Sequence, residues 1–435
     1  MGARLAPLAA LAALAALVVL TAGCPAPGSP DAPAGGDASS NTSVALAAGR
    51  GAPATLVASA RGGTAPASAS ATLSASATVS ASADGGLPTS PIPDGAIGIG
   101  VAHDPSLAGM AAVAQGVTLA VEHLNAAAGN LRFVARTNSP GVTSAVQIAT
   151  ELRDDPRVVG VVGHSESGST LDAIPVYEDV EGGGAKALVA ISPTATSPRL
   201  TGRSPWFFRV CPSDLAVSRA IARYALDTLG ARRAAIVYRN DSYGRDWTKE
   251  FVAAFTAGGG AIVQRDPYLP GITEWAAYAG YMQAQRADVF LYPGSLEDAV
   301  LSIRALRAIG ADIPFIGGDA ASALAASPDE FAGERYTAFF DAREATGREA
   351  RAFVARFRER FGMDPDQRAA LAYDAALLIG EAARAVGIDR TRIRDHLERL
   401  GTDLPAVDGV AGAIAFDRNH DPRDTRVIVA RVAAR

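Results

Sequence analysis

The sequence predicts an α/β fold built as two successive doubly wound lobes. Three observations carry that reading. Short apolar strand-like runs alternate with helical stretches from residue 95 onward, the pattern of parallel sheets with crossover helices. About nine such strands occur, too many for one small sheet. Several of them run directly into short loops rich in Gly, Ser, Thr and Asp, and in open α/β sheets ligands bind at that carboxyl end of the strands.

The first 94 residues stand outside this pattern. Arg4 and the N-terminal amine precede an apolar run from Leu5 to Leu20, and the run closes in Leu20-Thr21-Ala22-Gly23-Cys24. Charge, apolar core and small residues before a cut site define a secretory signal over 1–23. Its apolar part is shorter than the roughly 20 residues of a spanning helix. A Cys directly after small residues resembles the bacterial lipobox. That resemblance implies cleavage before Cys24, diacylglycerol on its sulfur and a membrane anchor outside the cytoplasm. Residues 24–94 are dominated by Ala, Ser, Gly, Thr and Pro and contain no aromatic. Such a segment cannot bury enough surface to offset its ordering entropy. It reads as a disordered tether with an r.m.s. reach of roughly 45 Å.

In the body, Ile97, Ile99 and Val101 alternate with Gly98, Gly100 and Ala102 as in a strand. Met110, Val113, Val117, Val121 and Leu124 share one face of a helix. Val158–Val162 and Leu188–Ile191 are buried strands on either side of a helical stretch over Thr170–Asp179. Ser213 offers an N-cap to a helix carrying Leu215, Ile221 and Leu229. Ala234–Tyr238, Val289–Tyr292 and Pro314–Ile316 are further strands, with a break between the lobes near Arg209–Ser213. The last third differs. Ala350–Phe361 and Ala369–Val386 are long amphipathic stretches, followed by a strand pair at Ala413–Phe416 and Arg426–Val432, around Asp417–Asp421. That order suggests a chain that recrosses between the lobes.

Composition excludes several functions. The net charge of −5, without a clustered basic face, gives no nucleic-acid footprint. There are two cysteines; with Cys24 lipidated, Cys211 is a lone buried thiol and no disulfide framework exists. The five histidines, His103, His123, His164, His396 and His420, show no metal-ligand spacing. Gly98-Ile99-Gly100 is followed by His103 where a dinucleotide fingerprint needs glycine. No cofactor is expected.

Three groups of loops could carry chemistry. Gly163-His164-Ser165-Glu166-Ser167-Gly168-Ser169-Thr170 follows a strand and opens a helix, so unpaired amides and the helix dipole favour an anion there. Its blander reading is a capped helix with a polar turn. Ile191-Ser192-Pro193-Thr194-Ala195-Thr196-Ser197-Pro198 crowds hydroxyls at the end of the next strand; its blander reading is a surface loop of turn formers. In the second half Asp241-Ser242-Tyr243-Gly244, Pro293-Gly294-Ser295 and Gly317-Gly318-Asp319 all follow strands. Asp319, behind two glycines, suits a ligand cation, or otherwise caps the helix from Ala320.

The order of these segments resembles the type I periplasmic binding proteins, specifically the branched-chain amino-acid (Leu/Ile/Val) receptors of ABC transporters. The marks are Gln115-Gly116-Val117 through Asn125, Val162-Gly163-His164 with the serines, and Ile191-Ser192-Pro193-Thr194-Ala195-Thr196. They continue with Phe208-Arg209-Val210 before Ser213-Asp214, Tyr243-Gly244, Ala372-Tyr373-Asp374-Ala375 and Gly412-Ala413-Ile414-Ala415-Phe416-Asp417. Together they cover about 95–435. The resemblance implies two lobes joined by a three-stranded hinge: 95–212 plus about 342–412, and 213–341 plus about 413–435. It further implies that Ser167, Gly168, Thr194, Ala195 and Thr196 hold a ligand α-carboxylate and amine from the first lobe. Asp319 would pair with the ammonium from the second, with Tyr243 and Ser295 on the cleft wall. Ser295 stands where family members often have an aromatic. His103-Asp104-Pro105-Ser106 lacks the Gly-rich polar pattern, and Arg136-Thr137-Asn138-Ser139 lacks an acidic pair, so these departures bear on side-chain specificity.

The implied role is that of a monomeric, lipid-anchored solute receptor delivering an amino acid or related solute to an ABC permease, without catalysis. Two alternatives compete. One is an envelope regulator of the cell-wall synthase activator type, with the same fold and an unused cleft. The other is a serine hydrolase, because Gly163-His164-Ser165-Glu166-Ser167 approaches the nucleophile elbow and His420 follows late in the chain.

Overall fold

The computed structural model describes residues 92–107, 109–127 and 129–434. The secretory signal, Cys24 and nearly all of the tether expected from the sequence lie outside the described residues.

The first sheet is formed by β1 (Ala96–Val101), β2 (Arg132–Thr137), β3 (Val158–Val162), β4 (Ala190–Ser192) and β5 (Phe207–Arg209), in the order β2-β1-β3-β4-β5. All its pairings are parallel. Helices α1 (Met110–Ala126), α2 (Ala145–Asp154) and α3 (Ser167–Tyr177) supply the crossovers. All six residues of β1 are buried, as expected of a parallel strand covered on both faces. Its two glycines serve that packing. A Cβ on Gly98 would lie 2.4 Å from Ile92 Cδ1, and one on Gly100 would lie 2.9 Å from Val161 Cγ2.

The second sheet repeats the same winding. After α4 (Asp214–Arg223), which runs on through a π turn at Tyr224–Thr228, come β6 (Arg233–Arg239), α5 (Ser242–Ala257), β7 (Ala261–Tyr268), α6 (Trp275–Ala284), β8 (Val289–Tyr292) and α7 (Leu296–Ala308). Then follow β9 (Phe315–Gly317), a 3₁₀ helix at Asp319–Ala326, α8 (Pro328–Phe331) and β10 (Arg335–Ala338). The sheet order is β13-β10-β9-β8-β6-β7, where β13 (Ile428–Arg431) is the one antiparallel strand, against β10. In each sheet the first strand of the lobe lies between the second and the third, so each has a topological switch point where a crevice opens.

Between β10 and β13 the chain returns to the first lobe. Helices α9 (Arg348–Phe361), α10 (Gln367–Val386) and α11 (Arg390–Glu398) lead to a short hairpin of β11 (Val407–Asp408) and β12 (Ala413–Ile414). Glycines bring α10 onto α1: a Cβ on Gly116 would lie 2.2 Å from Ala369 O, and one on Gly380 would lie 2.3 Å from Leu124 Cδ1. Arg390 fixes the start of α11 by donating to the carbonyls of Val158, Arg153, Lys186 and Asp155 at 2.6–2.9 Å.

Several expectations need correction. The final two strands do not pair with each other: β12 joins β11, and β13 joins β10. The turn between them is closed by an isolated bridge between Phe416 and Pro422. The chain crosses between lobes at 210–213, 339–347 and 415–427, and none of these segments forms a regular strand. Ser213 precedes α4 but its side chain makes no capping bond. The edge strands β2 and β7 and the short β5 and β10 escaped the pattern reading. Exposed positions interrupt the apolar alternation of the two edge strands, and β10 has only four residues. Cys211 is the free, fully buried thiol among the described residues, and burial pushes its pKa well up.

Because α1 and α10 meet backbone to side-chain face, Gly116→Ala is expected to destabilise the protein by about 1–3 kcal/mol. Urea unfolding would show it; an unchanged midpoint would mean that the helices separate freely.

Candidate functional site

Five strand ends converge between the lobes. From the first lobe come Ser165–Gly168 after β3 and Thr194 after β4; from the second come Asp241–Tyr243 after β6, Gly294-Ser295 after β8 and Asp319 after β9. They enclose a cavity of about 300 Å³, at the small end of ligand pockets. Of the residues expected at the site, Ser167, Gly168, Thr194, Tyr243, Ser295 and Asp319 line this cavity. Ala195 and Thr196 lie behind it, both buried.

On the first wall the hydroxyls are already engaged. Thr194 Oγ1 donates to Ser165 O at 2.8 Å, and Ser167 Oγ accepts from Ser197 N at 3.2 Å. Ser192 Oγ donates to His164 O at 2.6 Å and accepts from Ala195 N at 2.9 Å. These bonds lock the two loops to each other. What faces the cavity is the start of α3, where the first intrahelical bond is Thr170 N to Glu166 O at 2.9 Å. The amides of Ser167, Gly168 and Ser169 precede it, and they favour a carboxylate through their unpaired N–H groups and the helix dipole.

The second wall is acidic. Tyr243 Oη donates to Asp319 Oδ1 at 2.9 Å. Glycine at 318 makes this possible, since a Cβ there would lie 2.0 Å from the Tyr243 hydroxyl. Asp319 opens the 3₁₀ helix, with Gly318 as the cap residue. Its side chain makes no capping hydrogen bond to that helix start. Burial raises its pKa, against the opposing pull of Arg368 and Tyr243. Ser295 spends its hydroxyl on the α7 N-terminus, exchanging bonds with Asp298.

Asp214 is the residue that sequence reasoning missed. It sits in the first turn of α4 with both carboxylate oxygens buried and without a hydrogen-bond partner. Burial drives its pKa well above the usual carboxylate range; the neighbouring Thr196 hydroxyl opposes this without making a hydrogen bond. Thr196 Oγ1 is likewise buried and unpartnered, while its carbonyl accepts Asp214 N at 2.7 Å. Asp319 adds its charge to the same neighbourhood. The signal was present in Ser213-Asp214, but it reads as an ordinary helix start.

The lobes also touch across the cavity mouth. Arg239 of the second lobe donates to Glu166 of the first at 3.2 Å while pairing with Asp241. Ser197 bonds Asp246, and Arg199 Nη1 reaches Ser242 Oγ at 3.5 Å. The nucleophile-elbow reading finds no support in this geometry. Ser165 Oγ faces Met110 Sδ at 3.4 Å. His164 Nε2 pairs with Tyr177 Oη at 3.0 Å, and burial lowers its pKa to about 4. His420 stacks on Phe208, with ring centroids 4.1 Å apart.

A sequence profile of the periplasmic binding protein family matches residues 104–435. The chain belongs to that family. An amino acid binding protein of Pseudomonas aeruginosa is 27% identical over 240 residues, 54% of this chain and 63% of that protein. The Leu/Ile/Val-binding protein BraC3 of Rhizobium johnstonii is 30% identical over 206 residues, 43% of this chain and 54% of that protein. The chain thus spans somewhat more than half the length of these relatives. A solved ABC transporter substrate-binding protein from Desulfitobacterium hafniense, in complex with Leu, is 26% identical with a TM-score of 0.65, covering 77% of this chain and 97% of that one. The type I fold and the resemblance to Leu/Ile/Val receptors therefore hold, and the family is extracytoplasmic by character.

Removing the charge that crosses the mouth should loosen closure. Glu166→Gln is expected to speed amide exchange in 165–168 and 239–245, as an interlobe pair of modest strength would. Unchanged exchange would show that the pair does not hold the lobes together.

Proposed function

We propose that this protein captures an amino acid or a related ammonium-bearing solute between its lobes and delivers it to an ABC-type importer. The observation that supports this most is the buried carboxyl of Asp214, which with the nearby Thr196 hydroxyl has no hydrogen-bond partner, in the field of the buried Asp319. Buried acceptors without donors are costly, and a ligand ammonium supplies donors and charge together. The amides at the start of α3 take the carboxylate. Ligand binding favours the closed arrangement, which presents both lobes to a permease. The chain acts as a monomer, and lipid on Cys24 tethers it outside the cytoplasm.

Native purification followed by mass spectrometry of co-purified small molecules identifies the solute. An added ligand at 100 times its Kd should then stabilise the protein by about 2.7 kcal/mol. Asp319→Asn is expected to weaken that binding about tenfold or more, and Thr196→Val to weaken it without unfolding. Because both acids have raised pKa values, they take up protons above the ordinary carboxylate range. Ammonium binding needs them ionised, so affinity should fall as pH is lowered from 7.5 to 5. Equal or tighter binding at pH 5 would contradict the assignment.

The anchor is tested separately. Cys24→Ala is expected to move the protein from the membrane fraction to the soluble fraction of the envelope; retention in the membrane would refute lipidation as the tether.

A further inference from the structure

The cleft is charged where a receptor for branched aliphatic side chains needs apolar walls. Aliphatic side chains come only from Leu107 and Ala320, among Glu166, Arg239, Asp241, Arg245, Asp319 and Arg368. The charges do not all cancel locally. Arg239 uses both Glu166 and Asp241. Arg245 donates to Asn240 alone, at 3.0 Å to its carbonyl and its side-chain oxygen. Arg368, from the start of α10, has its nearest carboxylate in Asp366 at 3.6 Å.

Arg368 is also held in place. Its side chain is 16% exposed and lies flat against Gly109, where a Cβ would fall 2.5 Å from its Cδ and 2.7 Å from its Nε. Its charge acts on Asp319, yet the two do not come within ion-pair distance among the described residues. An acid and a guanidinium thus both line the cavity without pairing with each other, in addition to the amides of α3 that suit an α-carboxylate.

We infer that the solute carries a second anionic group, held by the Arg368 guanidinium with Arg245 at the mouth, so that acidic amino acids rather than branched-chain ones are the ligand class. This rests on the ammonium-binding reading above. The planar fork of arginine matches a carboxylate with two parallel hydrogen bonds, the strongest kind that side chains offer. A leucine side chain in the same place would desolvate a guanidinium and return no hydrogen bond.

Isothermal titration of L-glutamate, L-aspartate, L-leucine and L-isoleucine into the wild type, Arg368→Met and Arg368→Lys decides the matter. Glutamate or aspartate should bind the wild type more tightly than either aliphatic ligand. Arg368→Met, which keeps the stem over Gly109, should weaken the acidic ligand about tenfold or more, and Arg368→Lys should recover part of that loss. Tighter binding of leucine or isoleucine to the wild type would overturn the inference and leave amino-acid capture standing. Equal affinity of wild type and Arg368→Met for the acidic ligand would overturn it too. Binding of none of the four would overturn the ammonium reading along with it.

Discussion

The buried ion pair between Arg209 and Asp421 is the constraint on which the cleft depends. Arg209 ends β5 with its side chain wholly buried. All five guanidinium donors are used: two on Asp421 at 2.6 and 2.7 Å, one each on Ala195 O and Ser197 O, and one on Thr201 Oγ1. One side chain therefore fastens a strand end, the loop that carries Thr194 and Thr196, and the turn of the third crossing segment. Phe208, beside it, stacks on His420 of the same turn and meets Phe416 edge-on. Taking a guanidinium out of water is tolerable only with this degree of satisfaction. Losing either partner would leave a buried charge as well as a freed loop, a cost of several kcal/mol. The pair is less a source of net stability than a device that places the first wall of the cleft relative to the hinge.

From that fixed point the two sheets produce the site by repetition. Each lobe places its second strand on the far side of its first, and each opens its crevice at the carboxyl ends of its central strands. Facing crevices give two walls of different chemistry, amides at a helix start on one and carboxyls on the other. Motion between the walls is confined to three irregular crossing segments. The contacts that distinguish a closed state are few and polar, with Glu166 to Arg239 and Ser197 to Asp246 foremost. A solute that bridges the walls adds to those contacts, which is the differential interaction a hinge equilibrium requires.

Much of this was legible in the sequence because periodicity reports burial. Val289–Tyr292 and the ends of α9 and α10 follow directly from apolar spacing. The loops after β3, β4, β6, β8 and β9 announce themselves through glycine and hydroxyl content at strand ends. The legible part stops where partnership depends on distant residues. β12 and β13 read as a pair because they are neighbours in sequence, yet each finds a partner elsewhere. Ser167 and Thr194 read as ligand donors from their residue types. Their hydroxyls also bond Ser197 and Ser165, Ser167 as an acceptor and Thr194 as a donor, a use that only the folded loops reveal. Asp214 reads as a helix-start acid, and nothing local in the sequence shows that its carboxylate is left unpaired.

That unpaired carboxylate carries a thermodynamic consequence. Burial raises the pKa of both Asp214 and Asp319, and the charge of Asp319 raises that of Asp214 further. Without a cationic partner, the site relieves the cost of two buried like charges by holding a proton. A ligand ammonium replaces that proton as the compensating charge, and where the site is protonated its binding must release it. Arg368 works against this by drawing Asp319 toward ionisation. A second anion on the solute would occupy Arg368 and weaken its pull on Asp319 just as the ammonium arrives to take over that role. A ligand with an ammonium and a second anionic group would therefore engage Asp319 and Arg368 together, which neither an aliphatic amino acid nor a simple cation does.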